Sequence, residues 1–290
     1  MKKDFKCDIC GGESILIHNG TRDNPDVDVY ECQNCHTKWL KYLKGGADGN
    51  DYQHGFMNGK PEMYVEEIQK RIDEGKTDDL RRVETVKSWC ENKDVLDFGC
   101  GFGGFLKGIS NVAKTAVGVE LSLCERNYLK SIGLTVEDNI ANYNKTFDVI
   151  TLFHVFEHLS NPREWLNKFA EFLIDGGTLF IEVPNGNDAL LSLYESKDFA
   201  DFTYWSAHLY LYTRAGLTKL INDGGQFDIE LEGQVQRYPL ANHLYWLTKH
   251  KPGGHKHWDF LNSHSLNDEY KKVLETRWLC DTLFYRLKKI

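Results

Sequence analysis

The chain has 290 residues, 41% hydrophobic and 27% charged, which provides for a full core and excludes disorder for its bulk. Lys plus Arg is 35 and Asp plus Glu is 43, so the net charge of −8 argues against a nucleic-acid binder held by overall charge. No apolar run approaches the roughly 18–20 residues of a bilayer span, and the basic start MKKDFKCDIC has no apolar stretch behind it, so a reducing, cytoplasmic setting without membrane insertion is expected.

Residues 1–44 hold two C-x-x-C pairs, Cys7/Cys10 and Cys32/Cys35, with 21 residues between them. In a reducing compartment, eight cysteines do not imply a disulfide framework. Four thiolates in paired turns fill tetrahedral Zn²⁺ with no open position, so the expected metal is structural. Gly11 and Gly12 relieve the turn after the first pair. The plain alternative is four unrelated buried cysteines. His36 is a rival fourth ligand that two complete pairs make unnecessary. Strand-like runs at 14–18, 26–31 and 38–43 predict a small β-ribbon, too small to hold itself without a staple.

Residues 45–60, rich in Gly, Asp and Asn, read as a linker. In residues 61–92 the spacing of Val65, Ile68, Ile72, Leu80, Val83, Val86 and Trp89 predicts two helices broken near Gly75, so 45–92 is a linker and helical cap. From Lys93 onward, strands at 94–98, 115–120, 134–137, 147–153 and 177–183 alternate with helices starting near Gly104, at 123–131 and at 162–174. That alternation predicts a parallel, doubly wound α/β sheet. A helix at 213–222, a strand at 226–234 and a terminal strand at 281–288 follow.

The segment VLDFGCGFGG, residues 95–104, places glycines at a strand end before a helix, where backbone can approach a ligand closely. Asp97 precedes the glycines. Glu120 ends the next strand, about 20 residues on, where an acid can take two ribose hydroxyls. No P-loop lysine follows, which disfavours a nucleoside triphosphate.

Residues 93–184 resemble a class I S-adenosylmethionine (SAM)-dependent methyltransferase. VLDFGCGFGGFL is similar to that family's first motif, VGVELS to its second, FDVITLFHVFEHLSNP to its fourth-strand motif and GGTLFIEVPN to its fifth. HLYLYTRAGLTKLINDGG resembles the helix before its last hairpin. The resemblance implies a Rossmann-like, seven-stranded sheet with an antiparallel last strand, at 281–288, and one domain over 93–290. It implies that Asp97, Gly99, Gly101 and Gly103 surround the methionine portion of SAM, and that Glu120 holds the ribose. Leu121 then lies against the adenine and Asp138 meets its amino group, although Asp138 also reads as a plain loop acid. Phe153 and His154 face the sulfonium.

Methyl transfer to oxygen or carbon needs an aligned acceptor and a base. His154 and His158 flank Glu157, and their spacing puts both on one face if the segment is helical; two such ligands alone define no metal site. His208, in TYWSAHLYLYT, resembles a histidine of methyltransferases acting on nucleotide-linked sugars, which usually follows a glutamate. Here Ala207 precedes it, which weakens C-methylation and leaves O-methylation open. His208, with His154 beside it, is the candidate general base; a structural histidine is the alternative. Between the last two strands, at about 236–278, aromatic and basic residues suggest a substrate lid suited to a sugar and its phosphate. Tyr238, His243, Trp246 and His255 are its candidate contacts, with Tyr52 and Tyr64 ahead of the core. A packed helical lid with a solvated basic rim is the alternative.

Two functions follow. The first is a SAM-dependent methyltransferase for a sugar or nucleotide-sugar, at oxygen, similar to enzymes of bacterial surface-polysaccharide pathways. The second is an RNA base methyltransferase using the zinc module for recognition. Residues 1–44 carry seven basic and seven acidic residues, and this neutral module favours the first. A homo-oligomer is left open.

Overall fold

The computed structural model describes residues 5–42 and 63–290. Four short strands come first: β1 (Phe5–Lys6), β2 (Glu13–His18), β3 (Val27–Cys32) and β4 (Lys38–Tyr42). They pair antiparallel in sequence order, and β4 pairs antiparallel with a distant strand, β10 (Tyr210–Leu211). The ribbon is therefore a five-stranded sheet completed by a strand from the later part of the chain.

One helix, α1 (Val65–Cys90), fills the region where a break near Gly75 is predicted. An interior glycine costs only about 1 kcal/mol relative to alanine. Tertiary anchoring offsets it: Val86 and Cys90 have no exposed surface and pack with Val95 and Phe105.

The rest of the chain winds a seven-stranded sheet through β5 (Asp94–Phe98), α2 (Gly104–Ile109), β6 (Thr115–Val119), α3 (Leu123–Ser131), β7 (Val136–Glu137), β8 (Phe147–Phe153), α4 (Pro162–Phe172) and β9 (Leu173–Pro184). Then come α5 (Ala189–Ser192), α6 (Lys197–Thr203), β10, α7 (Arg214–Gly224) and β11 (Phe227–Val235). Last come α8 (Leu240–Lys249), α9 (Gly254–His257), α10 (His264–Glu275) and β12 (Thr282–Lys289). The strand order is β11-β12-β9-β8-β5-β6-β7. Neighbours among β5 to β9 are parallel, and β12 lies antiparallel to both β9 and β11. This is the predicted doubly wound Rossmann-like sheet with its reversed last strand. Helices cover both faces, so β5 and β8 read as near-continuous apolar runs. Strand order reverses between β5 and β8, and ligands of open α/β sheets bind beyond the carboxyl ends at that point.

No helix among the described residues is long and apolar enough to cross a membrane.

Candidate functional site

Beyond β5 the chain turns through Gly99, Gly101 and Gly103, all at positive φ. A Cβ on Gly99 would lie 2.3 Å from the Val155 side chain, so glycine there serves close packing against the β8 loop. Around Gly101 a Cβ would meet nothing within 4 Å, and the backbone faces open space where a ligand can approach. Asp97, next to last in β5, is 3% exposed and among the described residues accepts one side-chain bond, from Thr151 Oγ1 at 2.7 Å. Burial pushes its carboxyl up to about 7 against that bond. Glu120 closes the cradle: its oxygens accept from Gly101 N at 2.8 Å and Ser122 N at 2.9 Å. Arg126 holds the carbonyls of Glu120 and Leu121. Asp138 is half-exposed beyond β7, bonded to Asn142 at 3.0 Å. An under-bonded buried acid, an acid fixed at a strand end and an open glycine backbone fit an ammonium, a ribose and an adjoining chain.

Beyond β8 the chain does not continue as a helix. His154 takes a left-handed conformation (φ 57°), and residues Phe156–His158 form a single 3₁₀ turn. The two histidines therefore converge on Glu157 instead of sharing a helical face. Glu157 has no exposed surface, yet neither carboxylate oxygen has a hydrogen-bond partner among the described residues. His154 Nδ1 lies 3.5 Å from its Oε1, and His158 Nε2 lies 3.9 Å from the same atom. Burial alone would raise this carboxyl; the histidines hold it down at about 2. His158 Nδ1 donates to Ala207 O at 2.7 Å, which turns Nε2 to the Glu157 side. His208 joins from another element, its ring 5.0 Å from that of His158. Donor atoms of Glu157, His158 and His208 lie within 4.8 Å of one another. Burial pushes His208 down to about 4, and its Nδ1 has no partner among the described residues. Phe153 takes a different place: its ring packs against Phe105 (4.8 Å) and under Arg82 (5.0 Å), in the apolar layer beneath α1.

A network that the sequence reading missed fastens α1 to this end of the sheet. Glu182 on β9, without exposed surface, accepts from Arg81 at 2.8 and 3.0 Å and from Arg82 at 2.8 and 2.9 Å. Asp78 accepts from Arg81 and from Arg237, and Arg237 Nη1 reaches His154 Nε2 at 3.3 Å. The available signals were a lone acid in the apolar run TLFIEVP and adjacent arginines on one helix.

Arg237 also lines a cavity of about 1640 Å³ between α1 and the segment joining β11 to β12. Glu66, Asp73 and Asp78 form its helix side, and Tyr238 and His255 lie opposite, their rings 5.5 Å apart. Two predicted lid contacts are corrected. His243 is 2% exposed, with Nδ1 on the Tyr270 hydroxyl at 2.7 Å and Nε2 on Gln236 at 3.2 Å, so it is saturated by the protein. Trp246 is 3% exposed and packs on Phe199 and Phe202. Tyr64 precedes α1, is 81% exposed and does not line the cavity. Tyr52 lies outside the described residues.

The sulfurs of Cys7, Cys10, Cys32 and Cys35 lie within 4.8 Å of one another, with Cys7–Cys35 at 3.8 Å and Cys10–Cys32 at 3.4 Å. The amides of Asn34 and Cys35 point at Cys32 Sγ. This all-sulfur donor set is compatible with a tetrahedral zinc ribbon. His36 is turned away, 3.0 Å from Glu31 Oε1.

The protein family described as Methyltransferase domain matches residues 66–229, leaving β1–β4 and everything from residue 230, within β11, outside. A ubiquinone biosynthesis O-methyltransferase from Hydrogenovibrio crunogenus is 22% identical over 185 residues, covering 56% of this chain and 77% of its own length. The corresponding Azoarcus protein is 29% identical over 119 residues; the match covers 37% of this chain and about half, 51%, of that relative. Among solved structures, a SAM-dependent methyltransferase from Thermotoga maritima superposes with a TM-score of 0.51 at 18% identity, over 82% of this chain and 99% of that one. A chain from the complex of the Haloferax volcanii Trm112 methyltransferase activator with a methyltransferase gives 0.53 at 14% identity, over 76% and 94%. At these identities the structures speak for the fold alone.

Proposed function

The chain belongs to the SAM-dependent methyltransferases, and we propose that it methylates an oxygen of a sugar or nucleotide-sugar. SAM, when bound, supplies a methyl group activated by positive sulfur. Asp97 would hold its ammonium, Glu120 its ribose hydroxyls and Leu121 and Asp138 its adenine, with the backbone of Gly99, Gly101 and Gly103 alongside. His154 follows β8, its Nε2 3.3 Å from Arg237 of the cavity wall. We assign the acceptor's proton to His208: burial keeps its ring neutral near pH 7, and the Glu157 carboxylate stabilises the imidazolium that forms.

The observation that carries the acceptor class is the wall of the cavity. Arg237, Tyr238, His255, Lys256, Asp73 and Asp78 line one space of about 1640 Å³, large enough for a nucleotide-sugar, with Arg237 and Asp78 paired at 2.6 Å in its wall. Such a lining suits a polyhydroxylated, phosphorylated acceptor better than an apolar one, since polar groups lose more than they gain against an apolar surface. Zn²⁺ in the four-cysteine site would be structural, because four thiolates leave no open position.

The test is transfer of isotope-labelled methyl from SAM to a panel of nucleotide-sugars, with structured RNA in parallel. Label in a nucleotide-sugar supports the assignment. Label in RNA with inert sugars reverses it in favour of base methylation.

A further inference from the structure

We propose that the four-cysteine ribbon is the brace that positions His208, with Arg22 and Asp23 as the positioning residues. This rests on His208 being the base.

The residues around His208, from Tyr204 to Thr213, have little regular structure of their own apart from the two-residue strand β10. The ribbon holds them along most of that length. Arg22 N donates to Tyr204 O at 2.9 Å, and Arg22 Nη1 to Phe202 O at 3.2 Å. The Arg22 guanidinium also lies 4.7 Å from the Trp205 ring centre, and that ring is 5.2 Å from His208. Asp23 accepts twice from Ser206, from its amide at 3.0 Å and its hydroxyl at 2.5 Å. On the other side of His208, Leu40 N donates to Leu209 O at 3.1 Å, and β10 pairs Tyr210 with Trp39 and Leu211 with Lys38. Thr213 Oγ1 then donates to the carbonyl of Cys35, itself one of the four sulfur ligands. His208 thus sits between anchors at Ser206 and Leu209, both belonging to the ribbon.

The same bonds occupy the ribbon. Its β4 edge is spent on β10, and its cysteines lie in one apolar cluster with Leu209, Tyr210 and Tyr212. A sheet this small needs a staple to keep its shape. Metal in the cysteine site would therefore fix the Arg22–Asp23 turn through β2 and β3, and that turn fixes the segment bearing His208. Misplacing a catalytic group by about 1 Å can cost about 100-fold in rate, so a brace of this kind acts on turnover while leaving the cofactor cradle alone.

The experiment uses the full zinc-loaded chain and compares D23A with D23N. Asp23 is exposed, so neither variant strains the core. D23A removes both acceptors of Ser206; D23N keeps one oxygen. D23A is expected to raise amide hydrogen exchange across 204–211 and lower kcat about 10- to 100-fold. SAM affinity and zinc content should stay within twofold, and D23N should recover most of kcat. Unchanged exchange in D23A overturns the brace. Raised exchange with unchanged kcat overturns its positioning role. H208A with full turnover overturns the base assignment and this proposal's catalytic half, while the exchange result is read independently.

Discussion

His154 Nδ1 stands 3.5 Å from Oε1 of Glu157, a carboxylate with no exposed surface and no hydrogen-bond partner among the described residues. Its negative charge raises the proton affinity of His208, against the burial that lowers it. E157Q keeps the shape and removes the charge. His208 should then become a weaker base, and the acid limb of the kcat/KM profile should move to lower pH. The plateau rate should fall about 10- to 100-fold. Steady-state rates from about pH 3 upward, spanning the His208 limb, check this; an unshifted limb with full rate contradicts it.

Asp97 gives a second pH signature. Burial pushes it up to about 7, so below that pH it carries a proton, while an ammonium requires the carboxylate. SAM affinity should fall as pH drops through 7, approaching tenfold per unit, with a proton released on binding. Calorimetry in buffers of different ionisation enthalpy measures both. D97N should bind weakly and without this slope.

Glu120 is fixed by the amides of Gly101 and Ser122, so its role does not depend on a flexible loop. E120A should weaken SAM binding about 10- to 100-fold, the worth of charge-assisted bonds to two hydroxyls. Unchanged affinity would sink the ribose assignment.

Much of this architecture was legible in the sequence because β5 and β8 are apolar runs bounded by glycine or charge, which strands buried on both faces must be. Their ends located Asp97 and His154, and the end of β6 located Glu120. Other features depend on tertiary pairing. Gly75 signals a break, and only the packing of Val86 and Cys90 shows why α1 continues. His243 and Trp246 sit among aromatics whose spacing is the same in a core as in a pocket; burial decided for the core. The bonds from Arg81 and Arg82 to Glu182 span about 100 residues of sequence, and no local pattern announces them.

The cysteine site makes a compositional prediction. Purified protein should carry about one zinc per chain. C35S should lose it and lower the unfolding midpoint by several degrees, since metal binding free energy contributes to folding. Metal analysis with a thermal scan decides; a zinc-free, equally stable wild type contradicts the ribbon's staple.

On the proposed function, cofactor and proton are handled at separable places, the cradle beyond β5 and the histidine cluster beyond β8. The most direct measurement is the single-turnover methyl-transfer rate of H208A beside its dissociation constant for SAM. The expected rate is at least about 100-fold lower, with SAM affinity within twofold of wild type. A wild-type rate, or a loss of rate matched by an equal loss of SAM affinity, would contradict it.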